Sequence, residues 1–154
     1  MSSDGVPDCV SESTQWERVG GTWLRIVRYA SRPVAGDSAP PSDAAGPGLA
    51  VLVPGLGLPR YVLPLARHLA TCGVEAVVLD ALAWRGRRPR AVPTIAGLSE
   101  LTATWLHGQR ERPIVVVGHS TGSQVALEAV LRVQRTRPAL ALVMGGPTFT
   151  PEQR

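Results

Sequence analysis

From position 49 onward, short wholly apolar runs alternate with longer amphipathic stretches. Continuous apolar runs are the pattern of strands buried on both faces, and the longer stretches suit crossover helices that cover them. The pattern predicts strands over 49–53, 75–79, 114–117 and 140–143, and helices over 61–71, 95–108 and 121–134. Within the helices, Leu65, Leu69 and Cys72, then Leu98, Leu101 and Trp105, then Ala126, Val130 and Val133 recur at three- and four-residue spacing. Such stripes are core-facing and need no cofactor role. The expected class is α/β with a mostly parallel sheet. There is no internal repeat and no coiled-coil heptad.

The first third of the chain reads differently. Residues 15–19 and 22–29 are β-rich runs separated by Gly20-Gly21. Two glycines supply the positive φ of a tight turn, so an antiparallel N-terminal hairpin is expected. Residues 1–14 are polar without periodicity and are expected to form a mobile, disordered tail. Residues 31–48 are dense in Pro, Gly, Ala and Ser and read as a loop, and 148–154 as a second tail. One domain over 15–147 is the resulting expectation.

Composition narrows the class. The 154 residues are 44% hydrophobic, 18% charged and 5% aromatic, which suits one globular domain. A chain of this size buries roughly 68–70% of its unfolded surface. The longest apolar runs, 49–53, 114–117 and 139–144, fall far short of the ~18–20 residues of a membrane span, so no membrane contact is expected. Met1 to Gly5 is polar with no apolar segment behind it, which predicts neither a secretory signal nor a transit peptide and makes the cytoplasm the expected compartment. Net charge is +4, and all 16 basic residues are arginine. The cluster Arg85-Gly86-Arg87-Arg88-Pro89-Arg90 has the chemistry to bind phosphate, but it lacks interleaved aromatics or a reading module. A solvated loop is expected there, and no nucleic-acid partner. Cys9 and Cys72 have no CxxC or Cys/His spacing and fit reduced thiols, with no metal site.

The densest chemistry lies in Gly118-His119-Ser120-Thr121-Gly122, a GxSxG between the 114–117 strand and the 121–134 helix. A strand that turns into a helix this abruptly forces the serine into a strained, exposed conformation, and flanking glycines remove side chains that would collide. Ser120 also stands at a helix N-terminus, where dipole and N–H groups favour developing negative charge. A second loop agrees with the first. The 49–53 strand runs into Pro54-Gly55-Leu56-Gly57, and the N–H groups of Leu56 and Thr121 are expected to form an oxyanion hole. A dinucleotide loop is excluded because Arg60 stands at the third glycine position and Asp80 lacks the ribose-binding context. No lysine is present for a phosphate loop, so no cofactor is expected.

Taken in order, the hairpin, the strand ending in Pro54-Gly55-Leu56-Gly57, the strand ending in Asp80 and the Gly118–Gly122 elbow resemble the N-terminal half of the α/β-hydrolase superfamily. The resemblance covers nearly all of 15–147. It implies an incomplete α/β-hydrolase fold with the 49–53 and 114–117 strands side by side, and a ligand crevice at their carboxyl ends. It further implies a serine hydrolase of the esterase or thioesterase kind, with Ser120 as nucleophile and a small ester or thioester as substrate. A serine rather than aspartate nucleophile argues against epoxide-hydrolase or dehalogenase chemistry. The family triad runs Ser, then Asp or Glu, then His. After Ser120 the sequence holds only Glu128 and Glu152 as acids and no histidine. His68, His107 and His119 read as surface or core residues. The expectation is therefore a truncated hydrolase lacking acid and base, inactive or very weak alone. The alternative is a non-catalytic remnant or binding module. The 140–143 strand, lacking an outer partner, is expected to be an open edge through which the chain self-associates.

Overall fold

Gly20 and Gly21 take φ of 52° and 82°, the two left-handed residues of a type I′ turn. Around them β1 (Val10–Val19) and β2 (Thr22–Ser31) pair antiparallel from Val19↔Thr22 out to Val10↔Ser31. The computed structural model describes residues 9–32, 48–55, 59–81, 94–109, 112–137 and 140–146. The tail expected over 1–14 is corrected at 10–14, which are strand. Ser11, Glu12, Ser13 and Thr14 look like a tail by composition, yet polar side chains are what a solvent-facing edge strand carries. Val10 is buried at 5% exposure and anchors the start of that strand.

The remaining elements follow the predicted alternation: β3 (Leu49–Val53), a 3₁₀ turn at Pro59–Tyr61, α1 (Leu63–Thr71), β4 (Glu75–Asp80), α2 (Ile95–His107), β5 (Ile114–His119), α3 (Thr121–Val133) and β6 (Leu140–Gly145). They form one sheet in the order β1-β2-β4-β3-β5-β6. The β4–β3, β3–β5 and β5–β6 pairings are parallel, and β2 joins β4 antiparallel. The α/β class, the hairpin and the adjacency of the 49–53 and 114–117 strands are thus all present. The Arg85–Arg90 cluster, Leu56 and Glu152 lie outside the described residues.

Two cores sandwich the sheet. On one face α2 and α3 bury Leu98, Leu106, Ala126 and Val130 against Val51, Val77, Ile114 and Val116. On the other, α1 lies over β2, β4 and β3 and packs Ala66 and Ala70 against Ala50, Leu52, Ala76 and Val78. The stripe expected on α1 needs correction. Leu65 is 44% exposed and Cys72 is exposed, while the alanines face the sheet. Leucine and alanine share the same spacing here, and the small residue lets the helix axis approach the strands more closely.

A second correction concerns strands buried on both faces. That holds for all of β3, but Val115 of β5 and Val143 of β6 are exposed on the face that α1 covers elsewhere. The hairpin is tied to α2 by the Trp105 indole N–H, which donates to Glu17 at 2.9 Å. Glu75 at the start of β4 binds Arg28 of β2 and Arg112 just before β5, the latter at 2.6 Å. No described helix is long and apolar enough to cross a membrane.

Candidate active site

The chain leaves β5 and enters α3 within one residue. Ser120, at that junction, has φ 55° and ψ −129°, and is the one non-glycine residue with positive φ among the described residues. Its neighbours explain how the turn is tolerated. A Cβ on Gly122 would lie 2.2 Å from the Val53 carbonyl oxygen, and one on Gly118 would lie 2.6 Å from the Gly122 carbonyl and from Ser123 Cα. A side chain on Gly122 would push the end of β3 away from α3, and one on Gly118 would push β5 away from α3. The elbow is also fastened to the end of β6, because the Ser120 N–H donates to the Gly145 carbonyl at 3.0 Å. Thr121 begins α3, where N–H groups lie outside the helix's own ladder.

Parallel pairing of β3 with β5 sets Val53 opposite Gly118 and brings the following Pro54-Gly55 against the elbow. Gly55 is buried, and a Cβ on it would be 3.2 Å from Ser120 Cβ and 3.2 Å from Tyr61 Oη. Between these strand ends and the helices lies a small cavity of about 30 Å³, bordered by Gly55, Asp80, Thr102, Thr121 and Val125. That is the space of about one water. Asp80 is buried at 4% exposure and ion-paired with Arg25.

Of the residues singled out in sequence, Gly118, His119, Ser120, Thr121 and Gly122 meet at this point. Leu56 belongs to the undescribed stretch 56–58, so the position of its N–H is not part of this geometry. His68 is exposed on α1, 3.9 Å from Cys72 Sγ, and His107 is exposed at the end of α2. Ser120 Oγ makes no hydrogen bond with a described residue. Among the described residues no three His, Cys, Asp or Glu side chains gather as a metal would require.

Tyr61 escaped sequence reasoning. Its hydroxyl accepts the Gly55 N–H at 2.6 Å and lies 3.1 Å from His119 Nδ1. A tyrosine ahead of a helix carries no motif, and His119, 58 positions away, is brought to it by the β3–β5 pairing.

The model of the "Alpha/beta hydrolase family" matches residues 50–153. The chain belongs to the alpha/beta hydrolase family. Among solved structures, the chain is similar to the N-formylmaleamic acid deformylase of Pseudomonas putida S16, with TM-score 0.61, 16% identity, and coverage of 86% of this chain and 46% of that one. A cold-adapted esterase from an Arctic intertidal metagenomic library gives 0.57, 18%, 88% and 61%. Brefeldin A esterase, described as a bacterial homologue of human hormone-sensitive lipase, gives 0.56, 20%, 88% and 38%. At these identities the likeness is one of fold. The chain spans from 38% to 61% of the length of these three proteins. No curated protein sequence matches it.

Proposed function

We propose that this alpha/beta hydrolase is the nucleophile-bearing part of a serine hydrolase acting on a carboxylic ester or thioester. Ser120 Oγ attacks the acyl carbon, and the N–H groups of Leu56 and Thr121 receive the charge on the carbonyl oxygen. The Oγ proton passes to a base and then to the departing alcohol or thiol. Water hydrolyses the acyl-serine with the same base acting in reverse. The observation that carries this reading is the Ser120 backbone. A strained φ of 55°, between two glycines that admit no Cβ, sets a half-buried serine at a helix N-terminus.

The base is the missing component. None of His68, His107 and His119 hydrogen-bonds to Ser120 Oγ, and Glu128 lies along α3 beyond its second turn. The reading therefore places the acid and histidine in chain beyond these 154 residues. In a serine protease, loss of the base alone costs about 2 × 10⁶ in turnover. The isolated chain should hydrolyse an activated aryl ester feebly, with Ser120→Ala within about tenfold of wild type. The rates of wild type, Ser120→Ala, His68→Ala, His107→Ala and His119→Ala at neutral pH test this. A wild-type rate more than about a hundredfold above Ser120→Ala, lost in one histidine variant, would put the base inside this chain. That Ser120 Oγ has no hydrogen-bond partner among the described residues also favours a second reading, a non-catalytic module that keeps the crevice. That reading requires Ser120 to stay unreactive even when a base is supplied.

A further inference from the structure

Beside Ser120 stands a hydrogen-bonded pair that the acyl-transfer steps leave unused. The Tyr61 and His119 rings meet edge-on, with centroids 4.9 Å apart and planes at 61°. Tyr61 Oη already accepts the Gly55 N–H at 2.6 Å, and His119 Nδ1 lies 3.1 Å from the same oxygen. A phenol offers one O–H to donate and accepts through its lone pairs. With one acceptor position taken by Gly55, its proton is free to be donated to Nδ1. A neutral imidazole whose Nδ1 accepts carries its proton on Nε2. His119 is exposed, and its Nε2 has no hydrogen-bond partner among the described residues.

The His119 ring also lies close to the end of β6. It lies along Gly145 and Gly146, where added Cβ atoms would stand 3.4 Å from its Cδ2 and 3.7 Å from its Nε2. The Gly145 carbonyl accepts the Ser120 N–H, so one dipeptide bounds both the imidazole and the nucleophile's backbone.

We infer that His119 Nε2–H is a substrate-binding donor at the mouth of the Ser120 site, with Tyr61 as the positioning residue that sets its tautomer. The ligand it fits is an acyl ester bearing a further acceptor oxygen beside the ester group, best a carboxylate. A charged acceptor strengthens the hydrogen bond and suits a chain of net charge +4. This inference rests on Ser120 being the acyl acceptor, since that makes this side of the crevice the substrate's.

The test uses binding rather than turnover, in the Ser120→Ala background, with 2-acetoxybenzoate and phenyl acetate as ligands. Imidazole ¹⁵N NMR with His119 neutral should show the Nε2–H tautomer, shifting toward a mixture in Tyr61→Phe. 2-Acetoxybenzoate should perturb that signal and bind about fivefold or more tighter than phenyl acetate. Adding His119→Ala should abolish the preference, and adding Tyr61→Phe should reduce it. An Nδ1–H tautomer, equal affinities, or a preference that survives His119→Ala would overturn the inference. Ser120 reactivity is not read in this experiment, so failure of the nucleophile reading would leave these signals unmoved.

Discussion

Ser120 holds φ 55° and ψ −129°, a conformation that costs an L-residue about 1–3 kcal/mol unless glycine takes its place. Ser120→Gly should therefore raise stability by about 1 kcal/mol, read as a higher urea midpoint of unfolding, after glycine's extra chain entropy is subtracted. An unchanged or lowered midpoint would mean that the elbow is unstrained. Gly122→Ala should act in the opposite direction. Its methyl would stand 2.2 Å from the Val53 carbonyl oxygen, backbone that cannot yield cheaply, so a loss of about 1–3 kcal/mol or more is expected. The elbow was legible because its requirements are local: five consecutive residues state strand end, serine and two absent side chains. Tyr61 was not legible. Its hydrogen bond to His119 spans 58 positions, and nothing near Tyr61 in sequence announces that β3 and β5 will bring them together.

At the scale of elements, β4 is anchored at its start by Glu75 between Arg28 and Arg112. Burial raises the Glu75 carboxyl, but hydrogen bonds from Arg112 and Arg28 outweigh it and hold the group below its ordinary value of 4.5. The unfolded chain then takes up this proton at a higher pH than the folded one. The stabilisation is fully present above about pH 4.5 and is lost as pH falls through the lowered folded value. Glu75→Gln should flatten that acid limb in a series of urea titrations, whereas an acid limb identical to wild type would contradict the assignment. Strand and helix existence was readable from apolar runs because burial on both faces leaves few alternatives. Orientation is less so: on α1 hydrophobicity alone favours Leu65 as the sheet-facing residue, while close packing against the sheet favours Ala66. For the polar residues 11–14, likewise, composition does not distinguish a solvated edge strand from a loose end.

At the scale of the whole molecule, β6 closes one side of the sheet and pairs only with β5 among the described strands. Val143 at 52% and Met144 at 40% exposure stand on it, with Val115 at 39% beside it. An outer row of backbone N–H and C=O groups flanked by exposed apolar side chains is a template for another strand. We propose that a second copy of the chain supplies it, through β6 against β6. Sedimentation should show concentration-dependent association that Val143→Lys weakens, since an edge charge opposes strand pairing. A clean wild-type monomer at high micromolar concentration, with slowly exchanging amides over 140–143, would contradict it.

The central claim is that Ser120 is an acyl acceptor lacking its base and the acid that orients it. It is tested most directly by supplying that base: imidazole is added to the chain with p-nitrophenyl acetate, and acetyl groups are located by peptide mass spectrometry. The account predicts acetylation of wild-type Ser120 that rises with imidazole concentration and is absent at that position in Ser120→Ala. Ser120 remaining unmodified at every imidazole concentration, while other hydroxyls or the thiols acquire acetyl groups at the same rate in both proteins, would contradict it.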